Sequence, residues 1–176
     1  MADGAVGAAA IEVRVDDLAF VDADAVAWPV TAELHPTTPL LRRVEEAGGA
    51  ALASQLRTQE PLAVGSAVVT GAGGLGVELL VSAVVSSDSE PVTAAGARRA
   101  LTSALQRAVD WQISHLAIAP FGLGAGQLAL DECAALMLEE IARHARGASF
   151  PARVTVVVES ALEEEIFRAA LARVLP

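Results

Sequence analysis

The second half of this chain alternates between strand-like and helix-like segments, and this alternation restricts its fold more than any other feature. Strand-like apolar runs cover residues 114–120 and 153–159. Apolar residues at helical spacing cover residues 94–111, 130–146 and 160–174, and Ser160 with Glu163 forms a capping signature at the start of the last helix. Strands that alternate with helices predict a mainly parallel sheet with helices on both faces.

The first half adds four strand-like segments and one helix. The strand-like segments are residues 11–15, 25–30, 63–70 and 77–85. Thr38 and Pro39 predict the start of the helix, with Thr38 as the N-cap, and Gly48 and Gly49 predict its end or a kink. The fold class that follows is α/β, a three-layer α/β/α sandwich with a mixed, mainly parallel sheet of about six strands. We expect one domain over residues 11–176 and a disordered or poorly ordered segment over residues 1–10.

Helical spacing also predicts which side chains the helices bury. In the helix over residues 94–111, these are Leu101, Leu105, Ala108 and Trp111. In the last helix, they are Leu162, Ile166, Ala170 and Val174.

Composition excludes several classes of protein. The chain has no Lys, Asn or Tyr, and its 12 basic residues are all Arg, a bacterial-like bias typical of a GC-rich genome. Without Lys it is neither a P-loop NTPase nor an enzyme with a Schiff-base lysine. A net charge of −10 argues against nucleic-acid binding, which needs clustered basic residues. One Cys allows no internal disulfide, and the N-terminus has no positive region of a secretory signal, so we expect a cytoplasmic protein.

A first glycine-rich segment, residues 70–76, lies inside the apolar stretch 61–85. That stretch holds a single charge, Glu78, and superficially resembles a membrane span. Its β-branched residues form two short runs around the glycines, which favours strand, loop and strand over a transmembrane helix. A dinucleotide-binding turn should follow the first strand and begin a helix, and this segment does neither. We therefore interpret it as a tight connection between two strands.

A second glycine-rich segment follows the strand over residues 114–120 and precedes a helix. Gly122, Gly124 and Gly126 stand at alternate positions. Glycines at this spacing let the backbone approach a ligand, and their N–H groups can hold an anion or a diphosphate. A glycine turn without a ligand is the alternative interpretation.

When this loop is considered together with the other segments, most of the chain resembles the macro domain family, whose fold binds ADP-ribose. Asp17 and Leu18 resemble the family's Asp-Ile pair, whose carboxylate takes the adenine amino group. Residues 24–26 resemble the strand that leads into the family's Asn-Ala-Ala-Asn loop, and residues 122–126 resemble its phosphate loop. The ligand-binding residues that this resemblance implies are Asp17, Leu18, Trp28, Thr31, Gly122, Leu123, Gly124, Ala125 and Gly126.

The chain departs from the family at the segments that hold the distal ribose and its attacking water. Residues 28–31 read Trp-Pro-Val-Thr in place of Asn-Ala-Ala-Asn, and residues 35–39 read His-Pro-Thr-Thr-Pro in place of a glycine run. Leu123 replaces the Thr of the phosphate loop. Trp28 could either stack on a base or ribose or plug the cleft. ADP-ribosyl hydrolysis is therefore not expected, and no catalytic residue is assigned.

The sequence thus predicts a divergent macro domain that binds ADP-ribose or a related adenine nucleotide without catalysis. One alternative is an interaction or scaffolding domain with a filled cleft, serving a protein partner or a homo-oligomer. Another is a rewired hydrolase in which His35 or Asp22 activates water. His115 is interpreted as a turn residue, His144 as structural and Cys133 as a core thiol. No metal site, cofactor, nucleic-acid partner or membrane partner is expected.

Overall fold

The computed structural model describes residues 3–7, 9–124 and 127–176. The strands are β1 (Gly4–Val6), β2 (Ala9–Val15), β3 (Ala25–Thr31), β4 (Ala67–Gly71), β5 (Leu79–Ser86), β6 (His115–Ile118) and β7 (Arg153–Val158). The helices are α1 (Arg42–Arg57), α2 (Ala94–Asp110), α3 (Leu130–Gly147) and α4 (Ala161–Val174), and a short 3-10 helix covers Leu18–Phe20. Within the described part of the chain, no helix is both long enough and apolar enough to cross a bilayer.

The sheet has seven strands in the order β1-β2-β7-β6-β3-β5-β4. The five central strands pair in parallel, and β1 and β4 add antiparallel edges. The predicted mixed, mainly parallel sheet is confirmed, with seven strands in place of about six. The additional strand, β1, lies in the segment expected to be poorly ordered. It pairs Gly4 with Ile11, and Val6 at its end is almost fully buried.

Helices cover both faces of the sheet and create two cores. Side chains of α2, α3 and α4 pack on one face, and α1 packs on the other. This is the predicted three-layer arrangement. The carboxyl ends of β2, β7, β6 and β3 lie side by side at one edge, where open α/β sheets bind their ligands.

Two apolar side chains that helical spacing predicts to be buried are exposed. Trp111 is 55% exposed and Leu162 is 60% exposed. Trp111 immediately follows the last residue of α2, and Leu162 is in the first turn of α4. Side chains at helix termini extend past the packed layer, so periodicity alone overestimates their burial. The buried residues of α4 are Phe167, Ala170 and Leu171.

Helix α1 begins three residues after the predicted start. Its first residue is Arg42, and the Thr38 hydroxyl accepts a hydrogen bond from the Leu41 N–H at 3.4 Å, within the turn that precedes the helix. The predicted kink is confirmed, because Gly49 has a φ of +67° inside the helix.

The first glycine-rich segment packs against this kink. The Gly74 N–H donates to the Gly48 carbonyl oxygen at 2.9 Å, and a Cβ on Gly73 would lie 2.4 Å from the same oxygen. Strands β4 and β5 on either side of the segment pair antiparallel. The segment is therefore the predicted tight connection, and close packing on α1 explains Gly73 and Gly74.

Glu140 of α3 is a buried carboxylate, 2% exposed. It accepts hydrogen bonds from the Thr102 hydroxyl at 2.7 Å and from the Arg143 guanidinium, and Arg98 lies 3.6 Å away. Burial by itself would raise the pKa of Glu140, but the hydrogen bonds from Arg143 and Thr102 and the charges of Arg143 and Arg98 outweigh it and lower that pKa. The ionised form is thus the one that the fold stabilises.

We expect Glu140→Ala to lower the free energy of unfolding by about 2 kcal/mol at pH 7, because charge-assisted hydrogen bonds are lost. A carboxyl with a lowered pKa stabilises the fold above the unfolded pKa, and this contribution is lost as the pH falls through the folded pKa. Urea denaturation should therefore show a smaller difference between variant and wild type at pH 3 than at pH 7. Glu139→Ala is the matched control, since Glu139 is exposed. Equal losses in both variants would contradict the prediction.

Candidate functional site

A cleft of about 400 Å³, including its open mouth, lies at the carboxyl ends of β2, β7 and β6. Its lining comes from β7, from the loops that follow the three strands, from the first turn of α4 and from the segment before α1. Its lining residues are Asp16, Leu18, Thr38, Leu41, Ala119, Pro120, Leu123, Val157, Glu159 and Glu163. Leu18 and Leu123 are the sequence-predicted site residues among them.

Asp17 lies between two lining residues, and its carboxylate is engaged by helix α1. Its Oδ1 accepts the Ala19 N–H at 3.1 Å, which caps the 3-10 helix. Its Oδ2 accepts from the Arg43 guanidinium at 2.9 Å. The side chain is 32% exposed, and each carboxylate oxygen can accept a second hydrogen bond. Asp17 therefore links the segment after β2 to α1 and keeps acceptor capacity for a ligand.

The loop after β6 has the conformation that its glycines permit. Gly122 has a φ of +96° and Gly124 a φ of +140°, values that other residues rarely adopt. The Leu128 N–H closes the loop on the Gly122 carbonyl at 2.9 Å. Among the described residues, the N–H groups of Gly122, Leu123 and Gly124 donate to no protein acceptor. Successive open N–H groups at such a turn form an anion-binding concavity. Ala125 and Gly126, also predicted to bind, lie outside the described residues.

Trp28 and Thr31 do not line the cleft. The Trp28 indole is fully buried in the core between the sheet and α1, and its Nε1 donates to the Ser82 hydroxyl at 2.8 Å. With no exposed surface, the ring in this conformation neither stacks on a ligand nor fills the cleft. Thr31 ends β3, and its N–H donates to the His35 carbonyl at 2.9 Å. These two residues therefore shape the turn before α1 and the core beneath it.

The remaining candidate residues lie outside the cleft. The His35 side chain is 70% exposed, with Nδ1 3.9 Å from the Glu45 carboxylate. Asp22 lies in a separate depression beside His115. His115, predicted in a turn, is the first residue of β6, and its Nε2 hydrogen-bonds Thr155 at 2.8 Å. Burial and the charge of Arg153 lower the pKa of His115. The residues that the structure describes contain no cluster of three His, Cys, Asp or Glu suited to a metal ion.

Acidic side chains that the sequence analysis did not assign to the site line the cleft. They are Asp16, Glu159 and Glu163. Glu163 is held by the predicted capping box, since its Oε2 accepts from the Glu159 N–H and the Ser160 hydroxyl, both at 3.0 Å. Burial, then Glu163, raises the pKa of Glu159. The available signal for Glu159 was its position at the carboxyl end of the strand predicted over residues 153–159.

Cys133 of α3 forms a hydrogen bond with the first part of the glycine loop. Its buried Sγ donates to the Phe121 carbonyl at 2.8 Å, and burial raises its thiol pKa to about 12. We expect iodoacetamide at pH 8 to leave Cys133 unmodified in the folded protein, because almost no thiolate forms there. The same reagent should modify it fully in guanidinium chloride, as measured by intact-mass spectrometry. Equal alkylation rates in the two conditions would contradict the prediction.

The chain matches known proteins over most of its length. The Macro domain family model matches residues 41–137, more than half of the chain. Uncharacterized proteins of Mycobacterium bovis and Mycobacterium tuberculosis are each 27% identical over 161 residues, which cover 92% of this chain. The match covers 44% of either relative, so the chain spans less than half the length of these curated proteins.

Solved macrodomains share the fold. A substituted form of the Oceanobacillus iheyensis macrodomain superposes with a TM-score of 0.88 at 16% identity, covering 97% of this chain and 95% of that one. Another form, with ADPR, gives 0.85 at 15% identity and covers 97% and 96%. The Trypanosoma brucei macrodomain in complex with ADP gives 0.80 at 12% identity and covers 92% and 68%. Together with the family model, this shared architecture shows that the chain belongs to the macro domain family.

Proposed function

We propose that this protein is a non-catalytic binding module for ADP-ribose or a related adenine nucleotide. The observation that carries the proposal is the glycine loop after β6, in which Leu123 lines the cleft and the N–H groups of residues 122–124 donate to no acceptor among the described residues. Macrodomains of the same architecture have been solved with ADPR and with ADP, which supports this choice of ligand. A single thiol without a disulfide partner fits the reducing cytoplasm, where we place the protein.

The order of the strands supports a placement for each end of the ligand. The adenine would lie at the end of β2, against Leu18, with its amino group donating to Asp17. The diphosphate would lie on the loop after β6. Among the described lining residues there is no Arg or His, so backbone N–H groups have to hold the phosphates.

The residues at the predicted hydrolytic face support the non-catalytic part of the proposal. The chain has no Asn to position an attacking water in the manner of the family's Asn-Ala-Ala-Asn loop. Trp28 is buried, and His35 and Asp22 lie outside the cleft. We expect no release of ADP-ribose from an ADP-ribosylated protein, measured by loss of label from the substrate.

Isothermal titration with ADP-ribose and ADP tests the binding proposal. We expect saturable binding with a Kd tighter than about 1 mM, equivalent to more than about 4 kcal/mol. GDP, which places a carbonyl where adenine carries its amino group, should bind more weakly. The absence of heat with ADP-ribose at millimolar concentration would contradict the proposal.

One observation favours a second candidate, an interaction domain. Phe20, Leu40 and Leu162 are 76%, 45% and 60% exposed, and each lies within two residues of a residue that lines the cleft. Exposed apolar side chains around one opening are typical of a protein-binding surface. Light scattering would then detect a homo-oligomer, or a partner would be required for stability. A stable monomer that binds nucleotide would count against this candidate.

A further inference from the structure

We infer that Glu159 recognises the ribose hydroxyls of the bound adenosine and restricts the cleft to nucleotides whose adenosine ribose carries no extra phosphate. The inference rests on the proposed nucleotide site and adds which nucleotides that site accepts. It rests on the order of the strands, the free carboxylate of Glu159 and the charges around it.

The sheet order places the ribose in front of β7. Strand β7 lies between β2 and β6 and pairs with both in parallel, so the three carboxyl ends lie side by side. Adjacent strands are about 4.8 Å apart, which separates the ends of β2 and β6 by about 10 Å. The adenine is assigned to the end of β2 and the diphosphate to the end of β6. The ribose connects the two and therefore lies at the end of β7.

Glu159 is the first residue after β7 and lines the cleft. Its backbone N–H is used by Glu163, at 3.0 Å. Its carboxylate, in contrast, forms no hydrogen bond or ion pair with any residue that the structure describes. A carboxylate accepts hydrogen bonds only, and a ribose 2′,3′-diol offers two O–H donors. Acidic residues recognise the ribose in the same way in dinucleotide-binding folds, which use an Arg when a 2′-phosphate is present.

The charges around Glu159 would reject a ribose phosphate. Asp16 and Glu163 line the same cleft as Glu159. Arg43, a cation whose charge acts on Glu159, is already bound to Asp17 at 2.9 Å. A 2′-phosphate would place about two negative charges next to these carboxylates, with no basic partner to balance them. The resulting repulsion would favour nucleotides that lack this phosphate.

The test compares ADP-ribose with 2′-phospho-ADP-ribose by isothermal titration. Wild type should prefer ADP-ribose by at least about 30-fold. Glu159→Gln should retain ADP-ribose binding within a few fold and reduce the preference about tenfold, and Glu159→Arg should abolish or reverse it. Glu165→Gln is the matched control, because Glu165 is on the exposed face of α4 and outside the cleft lining. It should leave the preference unchanged.

A second comparison isolates the hydrogen bonds. Wild type should bind 2′-deoxy-ADP about tenfold more weakly than ADP, and Glu159→Ala should bind the two nucleotides equally. A double-mutant cycle over the protein and ligand changes gives the coupling between Glu159 and the 2′-hydroxyl. If wild type binds ADP-ribose but Glu159→Gln and Glu159→Arg leave the preference unchanged, the inference is overturned and the proposed function stands. If wild type binds neither nucleotide, the proposed function fails and the inference fails with it.

Discussion

Replacing Gly124 with glutamate should weaken ADP-ribose binding at least about 100-fold, from the sum of backbone strain and like-charge repulsion. Gly124 has a φ of +140°, so a side chain there strains the loop. Its added Cβ would lie 3.2 Å from the side-chain amide group of Gln127. The new carboxylate would stand beside the N–H groups that are proposed to hold the diphosphate. Isothermal titration measures the loss directly.

The other glycine-rich segment provides the matched control. Gly76 is exposed, has no positive φ and has no neighbouring atom near an added Cβ. Gly76→Glu therefore makes the same change in net charge without strain and should bind ADP-ribose as wild type does. Gly124→Ala separates strain from charge and should give an intermediate loss. Circular dichroism confirms that each variant is folded. Binding by Gly124→Glu within threefold of wild type would contradict the role of this loop.

The contrast between the two glycine segments shows what local sequence can predict. Both contain several glycines after a strand. The segment over residues 70–76 is followed by strand-like residues, and its identification as a connection between strands is confirmed by antiparallel β4 and β5. The segment over residues 119–127 is followed by a helix, and its residues Ala119, Pro120 and Leu123 line the cleft. Neighbouring elements, which are readable from the sequence, distinguish the two.

Contacts between distant residues could not be predicted in this way. Trp28 bonds Ser82, 54 residues away, and Asp17 bonds Arg43, 26 residues away. No periodicity or spacing in one sequence encodes such pairs. The same reason explains why Asp16 and Glu159 were not assigned to the site, although a strand was predicted over residues 11–15 and another over residues 153–159. Asp16 and Glu159 come close together because β2, β7 and β6 are neighbours in the sheet. The alternation of strands and helices along the sequence does not determine this order of strands.

Replacing Trp28 with alanine should lower the free energy of unfolding by about 3–5 kcal/mol. The indole is among the largest fully buried side chains, so its removal leaves a large cavity between the sheet and α1. The Ser82 hydroxyl, itself fully buried, also loses its donor. Ser82→Ala should cost less, about 1–3 kcal/mol, because it leaves the indole N–H unpaired but keeps the ring.

The chain's other tryptophan is the matched control for this experiment. Trp111 is 55% exposed, and Trp111→Ala should change stability by no more than about 0.5 kcal/mol. Urea denaturation monitored by circular dichroism compares the three variants without depending on either indole. A Trp28→Ala variant as stable as Trp111→Ala would mean that the indole belongs to the cleft. A large loss would instead show that this chain uses for its core the position at which the family resemblance places an asparagine.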